Sequence, residues 1–386
     1  MKRLLHQVGP DRYAPAMGDP SEYELAAWDA IQRFQGRPLS QGIRWVGEKA
    51  ANGAAAVGAG TEEFLEEHPK ADFVVSRGKE LVAGSARAVE TGFHRATGAL
   101  PGWSGAAFAS VRQTLGRVSR AGLSPKRVVA RHKKHDHAVV SLADLRRLDL
   151  EQIDEVRGRG ASWYYPALAA LSGAGAGLLI SGGELVVTVS AGVAAAPSGS
   201  AIVGSFAADA AIVLGLSSRV VGQVALHHGY DPEDPAEKLF VMSIVNAGSA
   251  MSATAKTAAM TDISWLTQAL VRGKTWAVLN ESVVAKVAQQ AAKAFGFRLT
   301  QKGLGKAIPA FGIVVGSTLN WTTLESIVDA SDIAYRRRFL LEKYPQLAAR
   351  ESSDWLSNIK PDAPDDADQP FSVVEELAEA GGPDLR

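Results

Sequence analysis

The chain has 386 residues, room for two or three domains or one large one with appendages, and its 41 Lys+Arg balance its 41 Asp+Glu. It contains no cysteine, which excludes disulfides and any cysteine-based metal or redox chemistry. The balance hides an asymmetry: Glu351 to Arg386 holds ten acids and two bases, so the tail is strongly acidic and the remainder basic.

In chain order, residues 1–20 read as a flexible leader with Pro10, Pro15 and Pro20. The leader lacks an apolar run of signal-peptide length, so secretion by that route is not expected. Ser21 and Glu24 have capping-box spacing and open a helix, SEYELAAWDAIQRFQ. Its apolar face is Tyr23, Ala27, Trp28, Ile31 and Phe34, and Gly36 and Pro38 end it. Helical spacing returns at 61–68 and 71–96, and again in SLADLRRLDLEQIDEVRG at 141–158, where Ser141 and Asp144 suggest a cap. Gly229 is placed to end one helix, while Asp234 and Pro235 are placed to start the next. The last long helix is expected from about 321 to 344, with Asp332 and Arg336 spaced for an i,i+4 pair. Beyond Pro345 the chain reads as a solvated acidic tail with one short helix near 373–380.

The region from Ala161 to Ser218 has 58 residues and only two charges, Glu184 and Asp209. A run so poor in charge is buried either in protein or in lipid. Its length suffices for spans of ~20 residues, but Gly, Ser and Ala dilute its hydrophobicity and Pro197 interrupts it. Gly173 and Gly177 form a small-xxx-small pair suited to close helix contact. The β-branched ELVVTVSAGV at 184–193 reads as buried helix among helical neighbours. The expected fold is therefore all-α, a compact multi-helix bundle of Gly/Ala-rich helices. The expected division is a leader at 1–20, an N-terminal helical region at 21–140, a helical core at 141–347 and an acidic disordered tail at 348–386.

Several segments in the same order and spacing resemble the EcsC family of bacterial proteins. They are YELAAWDAI, the GAGAG run, AAD at 207–209, HHGYDPEDPAEKLF at 227–240, LTQKGLGKAIPAFGIVVGSTLNW at 299–321 and YRRRFLLEKY at 335–344. The strong part spans about 162 to 344. The resemblance implies a mainly helical bacterial protein, and no reaction comes with it.

Candidate residues follow from charge in apolar surroundings. Asp209 and Arg219 lie in otherwise apolar helix, about 80° apart around its axis, and burying either unpaired is costly. With Tyr230, Asp231 and Asn320 they are the ligand-binding candidates, and each also has a plain structural reading as an ion pair, a turn residue or a packing contact. From Gly102 to His135 there are eight bases and no acids: Arg112, Arg117, Arg120, Lys126, Arg127, Arg131, Lys133 and Lys134. Such a patch attracts anionic headgroups, or alternatively the protein's own acidic tail. RHKKHDH at 131–137 reads as a solvated basic loop, because its spacing matches no zinc-enzyme pattern and its lysines repel cations. His227 and His228, at a helix end, are expected as cations complementing the helix dipole. Gly273–Lys274–Thr275 lacks the first glycine of a phosphate-binding loop, since position 268 is glutamine.

No catalytic residue, cofactor or metal is assigned, and no nucleic-acid partner is expected. The sequence supports a non-enzymatic, cytoplasmic protein held peripherally on the inner face of the cell membrane. Its partner would be an anionic surface or a membrane-protein complex, as for an accessory of transport or secretion. The alternative is an enzyme acting on a lipid or small amphiphile within the bundle. On the first reading the acidic tail competes for the basic patch, so that deleting 351–386 strengthens liposome binding.

Overall fold

The computed structural model describes residues 18–33, 123–158, 165–167, 169–170, 199–273, 279–303, 312–350, 368 and 370–386. Among these, every regular element is helical, which makes the protein all-α. The predicted helices at 61–68 and 71–96, the GAGAG run, ELVVTVSAGV and Arg112, Arg117 and Arg120 lie outside the described residues.

Helix α1, Glu22–Gln32, carries the expected capping box. The Glu24 amide donates to Ser21 Oγ (3.2 Å), and the Ser21 amide donates to the Glu24 carboxylate (3.1 Å). Ala27, Trp28 and Ile31 are buried, whereas Tyr23 lies at the rim and donates its hydroxyl to Asp154 (2.7 Å). Glu24 is itself buried. Lys343 (2.7 Å) and the Leu150 amide (3.3 Å) reach its second oxygen and offset the desolvation.

Helix α2, Pro125–Lys134, follows, and then a departure from the single helix expected at 141–158. A 3-10 turn at Ala143–Arg147 precedes α3, Leu150–Arg157. The break falls at Leu148–Asp149, because Asp149 forms its own capping box with Gln152. Ser141 does not cap. The Asp144 carboxylate instead accepts from the amides of Val140 (2.9 Å) and Ser141 (2.7 Å) and from Ser141 Oγ (2.9 Å).

The body is built from α4 (Gly199–His227), α5 (Pro235–Ser249), α6 (Ala253–Val271), α7 (Glu281–Gly303) and α8 (Gly312–Lys343). Gly229 ends α4 as expected. Its φ of 85° is open to glycine, and the Tyr230 amide closes back on Ala225 O (3.0 Å). A Cβ at this position would stand 2.9 Å from Leu142 O. Asp234 and Pro235 begin α5, also as expected. Helix α5 is buried nearly all round, which marks it as the centre of the bundle. It packs on α8, α6, α7 and α4, and burying Leu239, Phe240 and Ile244 contributes ~1.5–3 kcal/mol each.

Gly248 sets the distance between α5 and α8, since a Cβ there would lie 2.5 Å from Ile327 Cα. Gly248→Ala is therefore expected to destabilise by about 3 kcal/mol or more, at or beyond the upper end of ordinary overpacking. Around Gly296, within α7, no described atom lies within 4 Å of where a Cβ would stand. Gly296→Ala is expected to stabilise by about 0.5–1 kcal/mol, because alanine loses less backbone entropy. Urea denaturation of the two variants checks both signs.

Two expectations change at the C-terminal side. The i,i+4 pair of Asp332 and Arg336 gives way to pairs with α3: Arg157 bonds Asp332, and Arg336 bonds Asp154 (2.6 Å). A neighbouring helix offers each charge a partner in a drier setting than its own surface does. The acidic tail is also not solvated throughout. Its short helix forms as α9, Val373–Glu379, but Val373, Val374, Leu377 and Leu385 are buried against α6 and α7 in the main core. Deleting 351–386 would remove these core residues, so the deletion expected to free the basic patch would destabilise the fold instead. Polar clasps hold the segment. Arg298 bonds Asp368 (2.8 Å), both buried, and Asn246 Nδ2 donates to Phe371 O (2.7 Å). Asp262 accepts from Ser372 Oγ (2.8 Å) and the Val373 amide (2.6 Å), and burial raises its carboxyl to about 6.

Among the described residues no helix is long and apolar enough to cross a membrane. The described parts of the charge-poor region are largely protein core: Tyr165, Ala169, Ala170, Val213 and Ser217 are buried, while Ile212 is half exposed.

Candidate functional site

The sharp turn between α4 and α5 brings Tyr230 and Glu237 against the last turns of α8. Glu237, in the first turn of α5, is buried. It accepts from Arg338 Nη1 (2.8 Å) and from the Tyr335 hydroxyl (2.6 Å). Arg338 Nε donates to Glu342 (2.8 Å), which also accepts the Tyr230 hydroxyl (3.0 Å) and faces Arg146 at 3.8 Å. The guanidinium lies 3.9 Å above the centre of the Tyr230 ring. Burial alone would lower Arg338, but Glu237 and Glu342 outweigh it and hold the cation well above its ordinary value. Burial, and then Glu342, pushes Tyr230 well up. Its hydroxyl stays protonated and acts as a hydrogen-bond donor, not a base. Each carboxylate in this cluster is satisfied from within the protein, so the cluster fastens α4, α5 and α8 together.

Histidines gather beside it. His228 donates Nδ1–H to Val224 O (2.8 Å) and stacks on Tyr335, with ring centres 6.0 Å apart. The reading of His227 and His228 as cations at a helix end is corrected, because both are buried. Burial, and then the charge of Arg157, lowers His227 to about 3 and His228 well below its usual value. The loop reading of RHKKHDH changes too. Residues 131–134 are the last turn of α2, and His132 is fully buried with Nδ1 3.0 Å from His137 Nδ1. Burial, and then His137 and His135, lowers His132 to about 4. Among the described residues no three of His, Asp and Glu stand in a metal-holding arrangement.

The five ligand-binding candidates do not form one site by their described contacts. Arg219 Nε donates to the Tyr165 hydroxyl (3.1 Å), which in turn donates to Gln223 (2.7 Å). Tyr230 belongs to the Arg338 cluster. Asp231 accepts from the Glu233 amide (3.0 Å) and shapes the turn. Asn320 is buried on α8, and Asp209 lies on α4. Sequence reasoning missed Glu237, Arg338 and Glu342. The available signal was the i,i+4 spacing of Arg338 and Glu342 on either side of Phe339, Leu340 and Leu341.

The outer face of α2 is a different kind of surface. Val128 and Val129 pack with Val139, Leu145 and Leu226 of α4, His132 is buried on the same side, and the remaining edge of Val129 borders the outer surface. Lys126, Arg127, Arg131, Lys133 and Lys134 are all exposed. Beside them a groove of about 300 Å³ runs between α2 and residues 140–142. Val129, Ala130 and Leu142 line it, with Lys126 and Lys133 on the same wall. Val140 stands on its rim at 83% exposure. The Asp144 carboxylate fixes that rim through three hydrogen bonds, and the backbone donors hold its pKa below the usual carboxylate value.

Fold and site together define an all-helical protein with a saturated internal charge cluster and a cationic outer helix. Residues 187–340 match the EcsC protein family. The chain is also 28% identical over 141 residues to the uncharacterized protein YdbA of Bacillus subtilis (strain 168). That stretch is 36% of this chain and 48% of YdbA, so the chain spans about half the length of the curated relative it matches. No solved structure matches. The family segment runs from before α4 into α8 and includes Tyr230, Glu237 and Arg338; the cationic α2 lies outside it.

Proposed function

We propose that the protein is non-enzymatic and associates peripherally with an anionic membrane surface, on the cytoplasmic side, docking through α2. The observation that carries this reading is the concentration of five exposed cations on a ten-residue helix whose apolar face is anchored to α4. The exposed Val140, rigidly presented beside them, adds an apolar foot. Against an enzyme centred on Tyr230 stands the saturation of that cluster, which leaves its carboxylates committed to Arg338, Tyr335 and Tyr230.

Flotation of the full chain with anionic and neutral vesicles tests the reading. Binding should require anionic lipid and be lost at high salt, where surface charges are screened within ~3 Å. Each base near the surface contributes ~1 kcal/mol, so Lys126→Ala, Arg127→Ala, Lys133→Ala and Lys134→Ala combined should weaken partitioning about a thousandfold. Undiminished flotation of the quadruple variant would overturn the docking surface.

A further inference from the structure

The groove between α2 and residues 140–142 is more selective than a charged surface needs to be. Electrostatic attraction requires only exposed cations, which Arg127, Arg131 and Lys134 supply without lining this groove. Lys126, Val129, Ala130 and Lys133 are spaced i, i+3, i+4 and i+7, so they share one face of α2. This face is the groove wall, with apolar residues between two lysines that stand about 10 Å apart along the axis. Lysine stems cover apolar surface while their ammonium heads stay in water, so both heads can close over the groove mouth. The opposite wall, Leu142 with Val140 at its edge, is held by the Asp144 carboxylate. An apolar floor with cations at both ends is complementary to an acyl chain bearing a negative headgroup, and about 300 Å³ is at the lower end of small-molecule sites.

We infer that this groove seats a single anionic phospholipid, its phosphate held by Lys126 and Lys133 and one acyl chain lying on Val129, Ala130 and Leu142. The site rests on the membrane-surface reading and narrows it. α2 then takes one lipid out of the leaflet plane in addition to sensing its charge, and the bound chain supplies a contact that salt does not screen.

Two probes separate this site from general surface attraction. The first is dihexanoylphosphatidylglycerol kept below its micelle concentration, titrated into the full chain by calorimetry, with inorganic phosphate at equal ionic strength as competitor. The second is Ala130→Trp, which fills the floor at an exposed helical position and leaves every charge in place. Saturable binding of one lipid per chain is expected. Phosphate should displace it no better than chloride, since phosphate lacks the chain. Ala130→Trp should weaken it at least tenfold while the variant still floats on anionic vesicles at low salt. Lys126→Ala with Lys133→Ala should weaken it at least tenfold too, with the circular dichroism of the fold unchanged. Displacement by phosphate alone at matched ionic strength would show an anion site without a chain and overturn the inference. Vesicle flotation without saturable monomer binding, or binding indifferent to Ala130→Trp, would overturn the groove and leave the surface reading standing. Absence of both flotation and monomer binding would remove both.

Discussion

Replacing Arg338 by methionine is expected to lower stability by about 3–5 kcal/mol. The reason is asymmetry. Arg338 serves two carboxylates, Glu237 and Glu342, and Glu237 is 4% exposed. Losing the cation strands their charge in a poorly solvated site and leaves the Tyr230 ring without its guanidinium cover. Combining Arg338→Met with Glu237→Gln should recover much of the loss, since the stranded charge deepest in the core is then neutral. Denaturant unfolding of wild type, both single variants and the double variant measures this as a cycle. A double variant no more stable than Arg338→Met would locate the damage in lost packing instead of lost charge pairing.

The second large effect is acid lability. His132 and His227 are depressed in the fold, to about 4 and about 3, against about 6.5 in an unfolded chain, and His228 is depressed as well. A depressed histidine binds its proton more weakly when folded, so its neutral form contributes stability above pH 6.5. That contribution is lost as the pH falls below 6.5 toward the folded values. By pH 4, His132 and His227 should each remove on the order of 3 kcal/mol relative to pH 7. The midpoint of thermal unfolding should therefore drop steeply between pH 6.5 and 4. His227→Gln should flatten that slope, because it removes a buried group that must take up a proton at acid pH. Asp262, raised to about 6 because burial penalises its charged form more than the bonds from Ser372 and Val373 favour it, works in the opposite sense: its contribution to stability is greatest below the usual carboxylate range and fades as the pH rises through 6. Because two depressed histidines outweigh one raised carboxyl, the net slope should remain acid-labile. A flat profile from pH 7 to 4 would contradict the burial of the histidine pair at the α2–α4 junction.

This junction also ties stability to surface chemistry. His132 faces His137, while Lys133 and Lys134 in the same turn face outward. The residues that keep α2 seated are thus neutral and buried, and the charges that make it attractive to anions are on the opposite side. Helix α2 has no acid in its first turn and three cations, Arg131, Lys133 and Lys134, in its last. The arrangement suits the macrodipole at its C-terminal end and concentrates positive potential there.

What could be read directly from the chain was local. Ser21 with Glu24, Gly229 in its left-handed conformation, Asp234 before Pro235 and the short helix at Val373–Glu379 depend on residues within one turn of each other, so their spacing in sequence is their spacing in space. The all-helical class follows from the same local periodicities, and the EcsC resemblance from words kept in order. The partners of charges were not legible this way. Arg336 takes Asp154 across 182 positions, and Lys343 takes Glu24 across 319. A buried charge selects the partner that the packing of helices brings within about 3 Å, and sequence distance carries no weight in that choice. The tail shows the same limit: its composition reads as solvated, yet four apolar side chains and the clasps at Asp262 and Arg298 dock its end into the core. Composition measures how much a segment gains from water on average, whereas docking depends on whether a complementary groove exists elsewhere in the fold. That groove, formed with α6 and α7, and the outer groove beside α2 exist only once the helices are assembled.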